Sequence, residues 1–300
     1  MCSLLSNESN SRRRLSIAIP ASVISDTPHL REKTAKLGVV ARACSLFGVD
    51  EIVLYRDDPQ HNQETDIGLC TQVLRYLETP QYMRKKLFRL SPTLRYTGIV
   101  PPLQAPHHAV PSKLTDAGPG DFREGVVISR RGSDITVDVG LDRPVSARAN
   151  HRVGERVTVR LTGIEQLQGY VVESINDPRP VSSQRPGYWG YTVREVSSLG
   201  KLLRDRTSDL RVGTSRYGEP IHEIMQPLSR ALRESNSTVL TFGAPRMGLT
   251  EILAKEGVSP KDVFQYLVNT VPAQHTVTVR TEEALLISLA VLNVAGKVRL

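Results

Sequence analysis

The sequence predicts an α/β protein, a parallel sheet flanked by helices, with a small all-β barrel inserted into it. Three observations carry this. Near the N-terminus a strand, a helix and a second strand follow one another within about 40 residues, which is the βαβ unit of a parallel sheet. From about Leu94, short runs that alternate with a period of two are separated by Gly- and Asn-containing turns. Near Tyr188 the βα texture resumes, so the barrel is inserted and not appended. The expected organisation is a loose tail over 1–13, a discontinuous α/β domain over 14–93 and 181–300, and the insert over 94–180.

Each element has a local reason. Leu15 to Ile19 is a β-type run closed by Pro20. Thr27-Pro28 signals a helix start, with Pro where its missing N–H costs nothing. Leu30, Leu37, Val40, Ala41, Cys44 and Phe47 then recur at helical spacing up to Gly48, a C-cap candidate. Glu51 to Tyr55 is the second strand, and Ile67, Cys70, Val73, Leu74 and Leu77 line a second helix stopped near Pro80. Gln81 to Leu90 carries Arg84, Lys85, Lys86 and Arg89 on a helical period, either an exposed face or a phosphate-facing patch. The insert offers four strand runs: Gly125–Ile128, Asp134–Val139, Glu155–Leu161 and Gly169–Val172. Its Arg130 and Arg131 form a second basic candidate. Asp209–Gly213, Ser237–Phe242 and Gln265–Asn269 read as strands ending in small-residue loops, the usual place for a ligand in a parallel sheet. The last helix starts at Thr281, with Glu282 and Glu283 favourably placed in its first turn. Ala284 to Leu292 is apolar nearly all round, so this helix is expected to be buried.

Composition removes several classes. No apolar stretch nears the roughly 20 residues of a membrane span, because Ser288 and Asn293 interrupt Ala284 to Ala295. Met1 to Asn10 has no long apolar core behind a positive start and does not read as a secretory signal. Cys2, Cys44 and Cys70 are too few and too scattered for a disulfide framework or a zinc site, which fits a reducing compartment. The pair His107-His108 lacks a matching cluster of ligands, so no metal is expected. Lys+Arg number 39 and Asp+Glu 31, a net charge of +8. The excess is uneven: 13 basic against 10 acidic residues in 1–92, 11 against 10 in 93–180, and 15 against 11 in 181–300. That balance is compatible with a nucleic-acid partner. Arg12-Arg13-Arg14 reads as a solvated tail or as a phosphate or targeting element.

The loop from Gly243 to Gly248 follows a strand directly, but its two glycines are not spaced as a dinucleotide fingerprint. No phosphate-binding P-loop, nucleophile elbow or H-E-x-x-H pattern occurs either, which removes the simplest nucleotide-binding and hydrolase readings.

Two stretches carry a family resemblance: Thr241-Phe242-Gly243-Ala244-Pro245-Arg246-Met247-Gly248-Leu249, and Asn269-Thr270-Val271-Pro272-Ala273-Gln274-His275 onward to Ala284. Gly187 to Arg194, Phe122 to Gly125, Arg75 to Tyr82 and Val212 to Ser215 add to it, and the match spans nearly the whole chain. The sequence resembles the SPOUT-class, α/β-knot RNA methyltransferases, in particular the archaeal and eukaryotic subfamily with an OB-like barrel inserted in the catalytic domain. The resemblance implies a C-terminal trefoil knot, bound S-adenosylmethionine and a homodimer. Thr241, Gly243, Gly248 and Leu249 would line one side of that cofactor, and Asn269, Pro272, Gln274, Thr276, Arg280, Thr281 and Glu282 the other. Gly213 and Thr214 would supply a third loop, with Arg194 approaching from the strand before it. His275 stands where relatives usually have Gly, which would strain the turn if positive φ were required there. Arg42 is a candidate for phosphate or target-base contact, or else a helix-surface ion-pair partner. The implied substrate is ribosomal RNA, with N3 of a uridine as the target, in the nucleus, nucleolus or cytoplasm. The alternative is a non-catalytic RNA-binding scaffold that retains the fold.

Overall fold

The computed structural model describes residues 13–108, 113, 115, 117–163, 168–172 and 188–296. The expected tail over 1–13 lies outside them apart from Arg13, as does part of the return from the insert. In chain order the sheet unit begins with β1 (Arg14–Pro20), α1 (Leu30–Leu46), β2 (Glu51–Tyr55), α2 (Glu64–Glu78) and α3 (Gln81–Leu87). Five barrel strands follow: β3 (Phe122–Arg131), β4 (Asp134–Asp138), β5 (Val145–Arg148), β6 (Arg156–Gly163) and β7 (Gln168–Val172). The sheet unit then resumes with β8 (Thr192–Val196), α4 (Leu199–Arg204), β9 (Leu210–Pro220) and α5 (Ile221–Glu234). It ends with β10 (Ser237–Thr241), α6 (Leu249–Lys255), α7 (Pro260–Val263), β11 (Tyr266–Asn269) and α8 (Thr281–Gly296).

The six sheet strands are ordered β11-β9-β10-β1-β2-β8, and every neighbouring pair is parallel. Helices cover both faces, so strand side chains alternate between two apolar cores and need no solvent face. Ile17, Ile19, Ile52 and Leu54 enter the core made with α1, α2, α5 and α8. Ala18, Val53, Tyr55 and Val239 enter the other, with Leu202 of α4, Ile252 of α6 and Val263 of α7. The insert closes as a barrel in the order β3-β4-β5-β7-β6 around Val127, Val137, Val145, Val159 and Val171. Val145–Arg148 is the strand that sequence periodicity missed: at four residues it is too short to display a period.

Three further expectations are corrected. Pro28 precedes the first helical residue, Leu30, by two positions, since a short 3-10 turn at Ala21–Ile24 takes up the chain after β1. The segment from Leu94 to His108, expected in the insert, packs on the sheet unit: Leu103 is part of its core, and Leu94 and Val100 lie against it. Short 3-10 turns at Pro92–Leu94 and Thr97–Ile99 carry the chain over α1, where Val100 sits directly on Gly38. Lastly, α8 is not buried all round. Leu285, Leu289 and Leu292 face the core, while Leu286 and Val294 are 40% and 66% exposed.

A buried polar network joins the barrel to the sheet unit. The Arg156 guanidinium on β6 donates to both carboxylate oxygens of Glu78, at 2.6 and 3.0 Å, from the last turn of α2. It also donates to Glu124 of β3 at 2.5 Å. Glu124 accepts further bonds from Thr158 and from Trp189 Nε1, both at 2.6 Å. His107, fully buried, lies with Nε2 2.9 Å from the Glu78 carboxylate. The backbone at Gly190, with φ +91°, passes so close that a Cβ there would clash with Glu78 Oε1. The histidine pair is therefore a structural element of the junction and not a loop surface. Around it, the Tyr82 hydroxyl of α3 donates to the Glu124 carbonyl, and Lys86 pairs with Asp138.

The network makes stability sensitive to acid. Burial would raise the Glu78 carboxyl above its ordinary 4.5, but Arg156 and the His107 hydrogen bond hold it at about 2. Its contribution is complete above pH 4.5 and is lost as pH falls towards 2. Burial, and then the neighbouring His107, push His108 down from 6.5 to about 4, so its contribution fades across that higher window. Glu78→Gln should cost about 3 kcal/mol at neutral pH, because it leaves Arg156 incompletely paired. That difference from the parent should shrink between pH 4.5 and 2. Urea unfolding followed by circular dichroism at pH 7, 5 and 3 checks this, and a constant difference would contradict it.

Candidate active site

A bulge within β9 and the carboxyl ends of β10 and β11 bring three loops together. After β10, Tyr55 Oη donates to the Phe242 carbonyl at 2.5 Å. Burial, then the charges of Asp57 and Glu256, push this phenol well above its ordinary 10, so it stays a donor. Ala244 N donates to Met247 O at 2.8 Å and closes the turn, and Gly248 N donates to Glu251 at 3.0 Å as α6 begins. The β9 loop is tied in by Thr214 Oγ1, which donates to the Thr241 carbonyl at 3.0 Å. The loop before α8 is tied in by Thr281 Oγ1, which donates to Gly243 O at 3.3 Å.

The β9 loop has a specific origin. β11 pairs first with Val212 and Gly213, then with Glu219 and Pro220, so Thr214 to Gly218 bulges out of the ladder. Asn269, at the end of β11, clamps this bulge by donating to Arg216 O at 2.9 Å while accepting from Val271 N at 3.0 Å. Gln274 donates to the carbonyls of Thr276 and Val277, and Thr276 to that of Thr278, so the third loop is braced from within. Pro272 is exposed at its turn, and Arg280 N donates to Glu283 at the start of α8. His275 adopts no positive φ: among the described non-glycine residues only Gln104 and Arg206 do. The expected strain is absent.

Two features leave room for a ligand. Thr241 Oγ1 is buried and has no hydrogen-bond partner among the described residues, an arrangement that costs stability unless something accepts or donates there. A Cβ on Gly248 would meet nothing within 4 Å. Gly243 differs, since a Cβ there would lie 3.1 Å from Met247 O and disturb the loop itself. Gly213 and Leu249 form the floor: a Cβ on Gly213 would press on Leu267, Phe264 and Leu249.

Several expected site residues are placed elsewhere. Arg194 sits on β8, with β1 and β2 between it and β10, and its guanidinium donates to Glu51 at 3.0 Å. Glu282 turns away from the loops to Lys36 of α1, at 3.2 Å, an ion pair that also includes Asp26. Arg42, exposed on α1, donates through one guanidinium nitrogen to the Leu103 carbonyl and so anchors the 94–108 segment. The basic run on α3 is divided. Arg84 caps the Leu77 and Thr79 carbonyls and lies over the Tyr76 ring, and Lys86 is paired, leaving Lys85 and Arg89 exposed. Arg130 folds back on Gly132 O, while Arg131 is exposed. Periodicity finds a basic face, but which cations are consumed by backbone carbonyls depends on the fold.

Sequence reasoning missed Tyr55, Lys36 and the Arg216-Tyr217 pair. Only the last had a visible signal, a basic–aromatic doublet one residue beyond Gly213-Thr214.

A family model described as putative RNA methyltransferase matches residues 14–292. The human 28S rRNA (uridine-N(3))-methyltransferase is 34% identical over 93% of this chain and 77% of its own length. The Drosophila melanogaster protein of that name is 31% identical over 93% of this chain and 61% of its own. An uncharacterized protein of Halobacterium salinarum is 32% identical over 93% of this chain and 98% of its own. Among solved structures, the SpoU methyltransferase AviRb of Streptomyces viridochromogenes, in complex with AdoMet, is 10% identical with a TM-score of 0.35. It covers 94% of this chain and 57% of that one, too weak a likeness to carry any inference.

Thr241→Val tests the unpartnered hydroxyl. The isosteric change should raise the stability of the ligand-free protein by about 1 kcal/mol. Thermal unfolding checks this, and a loss of stability would show the hydroxyl to be satisfied within the fold.

Proposed function

The chain belongs to the putative RNA methyltransferase family, and from that premise we propose that it transfers a methyl group from S-adenosylmethionine to a uridine N3 of ribosomal RNA. The observation that carries the reading is the meeting of the bulge in β9 with the loops after β10 and β11 around the buried, unpartnered Thr241 Oγ1 and the open side of Gly248. The printed activity of the human and fly relatives supports the substrate.

When bound, S-adenosylmethionine supplies a sulfonium-activated, electrophilic methyl group. The protein's part is then alignment, and the short braces at Ala244–Met247, Thr214–Thr241 and Thr281–Gly243 hold the loops before any ligand arrives. In this reading Thr241 Oγ1 binds the cofactor and Gly248 leaves space for it. Loss of the N3 proton leaves negative charge on the uracil ring, which a cation stabilises. Arg246 and Arg280 are exposed at the loops, and neither guanidinium makes a hydrogen bond or ion pair among the described residues.

The same reading includes the trefoil knot and the two-fold dimer that the family resemblance implies. Exposed Leu286 and Val294 on α8 support the dimer, since covering them removes apolar surface from water. Sedimentation should then give about twice 33.2 kDa at micromolar concentration. A mass that stays at 33.2 kDa as concentration rises would exclude the dimer.

Transfer of labelled methyl to ribosomal RNA, followed by nuclease digestion and mass spectrometry, should yield 3-methyluridine. Gly248→Val should fold, bind S-adenosylmethionine at least tenfold more weakly and lose transfer, because a branched side chain would occupy the open space. Undiminished binding by the folded variant would refute the pocket. Absence of labelled product from the parent protein would refute the activity.

A further inference from the structure

Tyr217 is 80% exposed although it sits on a fixed loop. At the tip of the β9 bulge its ring is backed by the Arg216 guanidinium, whose central carbon lies 4.6 Å from the ring centroid. That guanidinium also donates to the Val277 carbonyl of the third loop at 3.3 Å. Val277 itself is 85% exposed. Asn269 holds the Arg216 carbonyl, and Tyr217 N donates to Ser215 Oγ at 3.2 Å. On the far side the Gly218 backbone is pressed against β11, since a Cβ there would lie 2.6 Å from Leu267 O. A large apolar ring held in water by five such restraints has no role in packing the fold.

Its surroundings identify what would cover it. A flat aromatic face backed by a guanidinium suits a planar, electron-rich ligand, and Arg246 and Arg280 add exposed positive charge on the adjoining loops. Of the acidic side chains nearby, Glu251 accepts from Gly248 N and Glu283 from Arg280 N, while Glu219, next to the bulge, is exposed. Unpaired nucleobases are recognised by stacking on aromatic rings and guanidinium planes, next to cations that meet the phosphates.

We infer that Tyr217 is the stacking platform for an unpaired base of the RNA substrate, delivered beside the loops that hold the methyl donor. The assignment rests on the proposed methyltransferase reading for its location, and on the loop geometry for its chemistry. Arg216 acts as a positioning residue: its bond to Val277 O fixes the guanidinium behind the ring, so that the opposite ring face remains open.

The test compares the parent with Tyr217→Ala and Tyr217→Phe. The probe is a fluorescently labelled, single-stranded, uridine-rich oligoribonucleotide, and affinity is read by anisotropy at fixed salt. Tyr217→Ala should weaken binding about tenfold, while Tyr217→Phe, which keeps the ring, stays within about threefold of the parent. S-adenosylmethionine affinity and sedimentation mass should be unchanged in both. Tyr217→Trp adds a direct signal: fluorescence quenching by the oligonucleotide beyond that of the parent, whose single tryptophan is Trp189 in the domain junction. Parent-like binding by Tyr217→Ala, failure of Tyr217→Phe to restore affinity, or no binding by the parent would overturn the platform. A fall in sedimentation mass for Tyr217→Ala would overturn it in favour of a contact between protein copies. Methyl transfer is scored separately on the parent. If RNA binding depends on the ring but no methyl is transferred, the platform stands and the proposed activity fails.

Discussion

Arg156 binds two carboxylates that belong to different halves of the molecule, Glu78 at the end of α2 and Glu124 on β3. An ion pair withdrawn from water forfeits solvation that its own attraction does not reliably return, so its worth lies in geometry more than in net stability. Here nearly every acceptor has a use. Glu78 also meets His107, and Glu124 also meets Thr158 and Trp189. Two chain crossings connect the barrel to the sheet unit, and both pass through this cluster, at His107 on the outward path and Trp189 and Gly190 on the return. A barrel hung on two linkers alone would swing. The directional bonds of one guanidinium set its orientation, with Tyr82 and Lys86 adding contacts from α3.

That rigid frame leaves the functional loops on the opposite sector of the sheet. β11, β9 and β10 are adjacent at one edge, while β8, which carries the chain back from the barrel, forms the other. The three loops therefore belong to a part of the sheet that the junction does not touch. Within it, stiffness comes from small local bonds: a hydroxyl on a carbonyl, a side-chain amide on a bulge, a carboxylate on a backbone N–H. Loops braced in this way lose little further entropy when a ligand binds, which is the advantage of a preorganised site. The one buried hydroxyl left unpaired among them, Thr241 Oγ1, marks where such a site departs from the rule that buried polar groups are satisfied.

Charge follows the same division. The barrel's arginines serve its own structure in several cases: Arg156 in the junction, Arg130 on a turn carbonyl and Arg148 on Asp134. On α3, Arg84 and Lys86 are similarly engaged. Arg246 and Arg280, by contrast, are exposed cations on the loops after β10 and β11. Net charge per segment does not separate these cases, because a guanidinium on a backbone carbonyl counts the same as one open to phosphate.

Whatever depends on neighbours along the chain was legible in the amino-acid order. The continuous apolar run Ile17-Ala18-Ile19 and the helical spacing from Leu37 to Cys44 declare their elements, because a strand covered on both faces needs no polar position and a helix with one buried face imposes its own period. The glycine and proline loops after Phe242 and Asn269 declare themselves too, and their ordered agreement with a family identifies the chemistry without coordinates. Which side chains remain available is a different matter, and folding alone settles it. Arg194 and Arg42 look like ligand residues until Glu51 and the Leu103 carbonyl, 143 and 61 residues away, are found to occupy them. Glu282 is claimed by Lys36 of a distant helix. Tyr217 becomes a candidate because a slip in the pairing of β11 with β9 pushes it into solvent. A hydrogen bond or ion pair requires two groups within a few ångströms of each other, and for groups far apart in sequence that proximity is created only by the fold.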